Sequence, residues 1–169
     1  MDSKILVAYS SKYGATAEIA EKIGEVLKQE GLQADVLPAK TVKSLADYQA
    51  FIIGSGVYVG MWRKEASNFL KKNENLLTGK PVWTFSTGPA GEGDPVELLK
   101  GWRYPNSLKP VIERIKPRDT AVFGGKVNAA KMSFLEKWVI KNVKSPVGDF
   151  RDWDMITKWA KGVAEALKA

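Results

Sequence analysis

The chain has 169 residues, a formal net charge of +7, and neither cysteine nor histidine. That composition excludes disulfides, thiol chemistry, cysteine-ligated iron–sulfur clusters, histidine general bases and most zinc sites. Redox chemistry here needs an organic cofactor, and the basic balance favours an anionic partner.

The length suits one domain over residues 1–169 with a sizeable core. No apolar run approaches the ~18 residues of a membrane span. The first strand begins just after Met1, so no signal peptide is expected and a cytoplasmic location is.

Ile5 to Tyr9 is an apolar run of strand length. It is followed by Ser10, Ser11, Lys12, Tyr13, Gly14, Ala15 and Thr16, and then by a helix pattern over residues 15–30. Ile19, Ala20, Ile23, Val26 and Leu27 recur at helical spacing, and Gly31 suits the C-terminal cap. A strand feeding a small-residue loop that opens a helix is a phosphate site in outline, because the first helical N–H groups are free and the dipole favours an anion. Hydroxyls come from Ser10, Ser11, Tyr13 and Thr16, a charge from Lys12, and close backbone approach from Gly14. The pattern is neither Walker A nor the dinucleotide fingerprint. An ordinary capped strand-to-helix turn would read the same way.

A short second strand is expected over 33–37 and a connecting turn over 41–47. Residues 50–54 form a continuous apolar run, the mark of a strand buried on both faces. Ser55, Gly56, Val57 and Tyr58 through Trp62 then read as a loop, before a helix over 63–73. The fourth strand is expected over 82–86. It is followed by a Gly- and Pro-rich connection over 87–106, with a turn of helix near 96–100. A helix over 107–115, a fifth strand over 120–124 and a closing helix over 153–167 complete the pattern.

Alternating strands and helices imply a doubly wound α/β fold, a mostly parallel five-stranded sheet with helices on both faces. Ligands bind such sheets beyond the carboxyl ends of the strands. Three loops follow such ends, beginning at Ser10, Ser55 and Ser86. The third opens with Ser86, Thr87 and Gly88. They converge if strands one, three and four are neighbours. Tyr58 and Trp62 then serve either as ring contacts or as core and rim packing. A magnesium-binding receiver domain does not fit, because Tyr9 and Ser10 stand where it needs acids.

Residues 126–147 form a basic insert before the closing helix. Lys126, Lys131, Lys137, Lys141 and Lys144 face a single acid, Glu136, and so supply +4 of the formal charge. Met132, Leu135, Trp138, Val139 and Val143 share one helical face, with Phe134 and Ile140 at its edges. Lys137, Lys141 and Lys144 lie opposite. Two readings follow. One is an element that docks a membrane surface or a partner, and the other is a peripheral helix that covers the sheet.

Residues 11–16 resemble the phosphate loop of flavodoxins, Ser/Thr-x-Thr-Gly-x-Thr, with Tyr13 for the usual Thr and Ala15 for the usual Asn. The resemblance to the flavodoxin-like family extends over most of the chain and implies the strand order 2-1-3-4-5 and FMN as cofactor. It implies Ser11, Lys12, Tyr13, Gly14, Ala15 and Thr16 around the phosphate. Ser55, Gly56, Val57, Tyr58 and Trp62 would lie beside the isoalloxazine ring, with Ser86, Thr87 and Gly88 on its other side.

Electron-shuttle flavodoxins are typically acidic and shorter before the last helix. The runs Tyr9 to Thr16, Ile53 to Gly60 and Phe123 to Val127, with the basic insert, look like the quinone-dependent protoporphyrinogen oxidase branch. That branch implies transfer of electrons from protoporphyrinogen IX to a membrane quinone, with peripheral contact at an anionic membrane or a redox partner. A carrier of electrons between proteins is the other expectation. Nucleic acid is not expected, since no recognition motif accompanies the charge.

Overall fold

Three apolar runs build the centre of the sheet in the computed structural model, which describes residues 4–127, 133–143 and 147–169, without the side chains of 139–143. β1 (Lys4–Ser10), β3 (Ala50–Tyr58) and β5 (Val82–Thr87) are buried along most of their length. Strands covered on both faces favour apolar side chains on both sides, which is why these runs do not alternate strictly between apolar and polar. β2 (Gln33–Pro38) lies outside β1, and β6 (Thr120–Phe123) lies outside β5. All four pairings are parallel, in the order β2-β1-β3-β5-β6. Counted among parallel strands alone, this is the expected order 2-1-3-4-5.

β3 does not end at Gly54. It continues to Tyr58 because β4 (Met61–Trp62) turns back on it, pairing Val57 with Trp62 and Tyr58 with Met61. The two turn residues, Val59 and Gly60, have φ of 50° and 73°, as a tight twisted hairpin requires. The stretch expected as a loop is therefore a strand extension with a hairpin tip. β5 also runs one residue past its expected end, so Thr87 is a strand residue.

Side-chain alternation divides the core into two layers. Ile5, Val7, Ile52 and Phe85 face α1 (Ala15–Gln29) and the closing helix, meeting Ile19, Ile23, Leu27, Ile156, Ala160 and Val163. Leu6, Ala8, Phe51, Ile53 and Val82 face the other side. There they meet Ala66, Phe69 and Leu70 of α2 (Lys64–Lys72). The short α3 (Glu74–Leu77) follows, and α4 (Pro95–Leu98) sits in the long connection. Val111, Ile112 and Ile115 of α5 (Lys109–Ile115) complete the second layer.

The insert has a fixed base. β7 (Lys126–Val127) pairs antiparallel with β8 (Gly148–Asp149), and α6 (Phe134–Val143) lies between them in sequence. Beside β8, the Arg151 guanidinium is buried. It stands 2.7 Å from Glu18 in the first turn of α1 and 2.8 Å from Asp149. α7 (Trp153–Lys168) then closes the chain, capped by Asp152. Among the described residues no helix is long and apolar enough to cross a membrane. Lys131, Met132 and Lys144, and the side chains of Val139, Ile140, Lys141 and Val143, lie outside the described residues.

Candidate functional site

Ser10, Ser55 and Ser86 occupy one register across β1, β3 and β5. They continue the columns of Leu6 and Ala8, of Phe51 and Ile53, and of Val82, so they face α2 rather than α1. Each hydroxyl is engaged there. Ser10 Oγ accepts from Arg63 Nε at 3.1 Å and donates to Glu65 at 3.3 Å. Ser55 Oγ accepts the Arg63 backbone N–H at 2.9 Å and donates to the Gly56 carbonyl at 2.8 Å.

Ser86 Oγ accepts from the Trp62 indole N–H at 2.8 Å and donates to the Arg103 carbonyl at 2.8 Å. Trp62 is 4% exposed and packs in the second core layer. The structure thus places the three serines and Trp62 beneath the loop cluster, tying the hairpin, α2 and the long connection to the strand ends. Arg63 and Glu65 belong to this network and were not read from the sequence.

The opposite phase faces α1. Gly56 and Thr87 are register partners, and Thr87 Oγ1 lies 2.6 Å from Thr16 Oγ1. A Cβ on residue 56 would come within 3.1 Å of Thr16 Oγ1, so the strand passes close to the helix start here. A Cβ on Gly88 would lie 3.2 Å from Val57 Cβ, which brings the third loop against the second. The three loops therefore converge, with Thr16, Gly56 and Thr87 at their meeting point.

The first loop is shaped to receive an anion. Ser11 Oγ accepts the Gly14 N–H at 2.9 Å and curls the chain. Gly14 enters α1 at φ 94°, a left-handed conformation, and contributes no side-chain cap. Among the described residues, the first-turn N–H groups thus have neither an intrahelical nor a side-chain acceptor. Together with the Ser11 and Thr16 hydroxyls and the Lys12 ammonium they form a donor set suited to a phosphate dianion.

A second cluster crowns this loop. The Lys12 ammonium lies 4.5 Å from the centre of the Tyr58 ring and 5.2 Å from that of Tyr13. Its Nζ is 3.0 Å from the Glu136 carboxylate of α6, to which the phenols of Tyr13 and Tyr58 both donate. The sequence reading missed this role of Glu136. Its signal was being the only acid among the lysines of the insert.

The Tyr13 phenol, then that of Tyr58, holds the Glu136 carboxyl down at about 2, with Lys12 adding to the effect. Desolvation, and then Glu136, push the Tyr58 phenol up to about 12. A carboxyl depressed in the folded state stabilises the contact above its ordinary 4.5, and that contribution is lost as pH falls toward about 2. Acidification over this interval is expected to release α6 from the loops. The measurement is the emission of Trp138, assigned by difference from Trp138→Phe. A Glu136→Gln protein should show no such transition, and one of equal size would refute the assignment.

The arrangement defines a doubly wound α/β protein with a loop rich in hydrogen-bond donors between its first strand and first helix. The chain belongs to the flavodoxin domain family, whose model matches residues 6–154. FMN is the cofactor that this membership implies, and the donor set of the first loop fits its phosphate.

Among curated proteins, the protoporphyrinogen IX dehydrogenase [quinone] of Escherichia coli strain K12 is 22% identical, over 95% of this chain and 94% of that protein. An NAD(P)H dehydrogenase (quinone) of Rhodopseudomonas palustris strain TIE-1 is 27% identical over 54% of this chain and 59% of that protein. Among solved structures, a flavodoxin from the Archaea superposes with a TM-score of 0.66 at 16% identity, covering 98% of this chain and 99% of its own. Oxidised flavodoxin 2 from Bacillus cereus gives 0.62 at 22% identity, with 97% and 99% covered.

Proposed function

We propose that this protein is an FMN-dependent oxidoreductase that oxidises protoporphyrinogen IX, or a related reduced substrate, and passes the electrons to a membrane quinone. The observation that carries this reading is the basic insert, held by Glu136 against Tyr13 and Tyr58 at the convergence of the three loops. It puts a lysine-rich element where a substrate would approach. The full-length likeness to the E. coli dehydrogenase supports the substrate pair, and the second dehydrogenase supports the quinone.

In this reading the residues divide by role. Ser11, Lys12, Tyr13, Gly14, Ala15 and Thr16 hold the phosphate. Gly56, Val57 and Tyr58 border the ring on one side, and Thr87 and Gly88 on the other. Ser10, Ser55, Ser86 and Trp62 act from below by fixing the strand ends. FMN, when bound, supplies a reversible acceptor of two electrons. Lysines of the insert attract the propionates of a porphyrinogen and anionic headgroups at the inner face of a membrane.

A second reading is an electron carrier between redox proteins, favoured by the likeness to flavodoxins over the whole chain. The basic surface would then meet an acidic partner. The test is anaerobic. Protoporphyrinogen IX added to the FMN-loaded protein is expected to bleach the visible flavin spectrum, and added quinone to restore it. A spectrum left unchanged by the porphyrinogen, with rapid reduction by a redox protein, would establish the carrier instead.

A further inference from the structure

The chain after β6 touches all three loops of the site. Gly125 donates its N–H to the Pro89 carbonyl of the third loop at 3.1 Å, and a Cβ on Gly125 would stand 2.9 Å from Gly88 Cα. On the return, Phe150 donates its N–H to the Gly125 carbonyl at 2.9 Å. The Arg151 guanidinium follows, 2.7 Å from Glu18 and donating to the Ala15 carbonyl of the first loop at 3.4 Å. These contacts come from backbone or from a buried side chain. Glu136 is of another kind, because one carboxylate reaches two loops. Its Oε2 accepts the phenols of Tyr13, from the first loop, and of Tyr58, from the second, while Oε1 lies 3.0 Å from Lys12 Nζ.

The local sequence gives that carboxylate a second place to go. Ser133 to Glu136 spell Ser-x-x-Glu, the capping box of a helix start. Half of the box is present, since Ser133 Oγ accepts the Glu136 N–H at 3.2 Å. A carboxylate in this position ordinarily turns back to its own helix end. Here its oxygens lie on Lys12 and the two phenols, and Glu136 is the one side chain among residues 134–138 that is not exposed. Either arrangement gives the carboxylate polar partners, so the loop contact can open without stranding a charge.

Tyr13 stands in the loop suited to a phosphate, and Tyr58 in the hairpin that would border the ring. The two ends of an FMN site are thus joined by one residue. Lys12 is also the cation of the phosphate donor set, so the closed contact masks its charge from an incoming phosphate. We infer that Glu136 is a positioning residue that staples the first two loops together, and that opening of this staple sets how fast FMN enters and leaves. The inference rests on FMN as the cofactor and not on the substrate pair.

The test follows FMN exchange by the full chain. Uptake is timed by stopped-flow quenching of flavin fluorescence, and release by chasing bound radiolabelled FMN with unlabelled FMN. Glu136→Ala is expected to raise both rates about tenfold or more, with affinity changed far less, because a gate slows passage in both directions. Glu136→Gln keeps an acceptor for the phenols and should bring both rates most of the way back. Tyr13→Phe with Tyr58→Phe removes the donors, keeps both rings, and should also speed uptake and release. Adding Glu136→Ala to that pair should do much less than Glu136→Ala does alone, since the same contact has already gone.

Faster release with unchanged uptake would make Glu136 an ordinary contact of the bound state and overturn the gate. Unchanged rates in Glu136→Ala, or fully additive effects in the combined variant, would overturn the staple. Among the described residues neither core layer includes a residue of α6, so Glu136→Ala should keep the parent's urea midpoint. A lowered midpoint would assign faster exchange to a loosened fold and count against the staple. An unaltered protein that takes up no FMN would sink the cofactor reading and this inference with it, whereas normal uptake with unchanged exchange sinks this inference alone.

Discussion

Replacing Ser11 and Thr16 together by alanine is expected to weaken FMN binding by about a hundredfold or more. Hydrogen bonds to a charged group contribute ~1.5–3 kcal/mol each, and two of them correspond to a factor of roughly 10² to 10⁴. The two hydroxyls also shape the loop. Ser11 Oγ accepts the Gly14 N–H, and Thr16 Oγ1 pairs with Thr87 Oγ1 between buried residues. Removing Thr16 Oγ1 leaves the Thr87 hydroxyl without this partner, at a cost in stability of ~1–3 kcal/mol. Thr16→Ser keeps the oxygen and should bind FMN nearly as the parent does. Quenching of flavin fluorescence on titration measures the affinities, and urea unfolding separates the stability loss. A double variant within about threefold of the parent affinity would remove the phosphate loop from the site, since even one charged hydrogen bond is worth more than that.

Trp62→Ala is expected to destabilise the fold by about 3–5 kcal/mol, the usual loss for a large buried aromatic. Trp62 joins two links of the structure. Its ring fills the second core layer among residues of β3, α2 and α5, and its indole N–H reaches Ser86 at the end of β5. Its backbone pairs with Val57, so the hairpin tip that carries Tyr58 depends on it. Trp62→Phe keeps most of the apolar area and loses the hydrogen bond to Ser86, so it should cost about 1–2 kcal/mol. The shift of the urea midpoint measures both. A loss below ~1 kcal/mol in Trp62→Ala would show that the hairpin lies outside the cooperative core.

Much of this architecture was legible because burial writes itself into local pattern. β1, β3 and β5 are covered on both faces, so their apolar runs are continuous. α1 is covered on one face only, so its apolar residues recur at helical spacing. The loop between them was legible as well, since Ser11, Gly14 and Thr16 sit where a strand changes into a helix.

The end of β3 was not. Ser55 and Gly56, just past Gly54, look like the start of a loop when only neighbours along the chain are considered. They are strand because β5 pairs with them on one side, and β4 holds the residues that follow. The serine row was legible only in part. Ser10, Ser55 and Ser86 stand at strand ends and look like ligand donors, but their phase turns them to the α2 face. That phase was present in the alternation, since Ser10 lies two residues beyond Ala8. The meaning of the phase depended on which helix covers which face.

By itself, the sequence determined the strands, the first helix, the hydroxyl- and glycine-bearing turn between them and the charge of the insert, because each follows from side chains close together in the chain. The tertiary structure alone decided which hydroxyls face the loop cluster and which way the insert turns. Glu136 meets Tyr13 across 123 residues and Tyr58 across 78. No local propensity acts over that distance, and the contact exists only after the sheet has brought the loops to one edge and the Arg151 clasp has set the base of the insert.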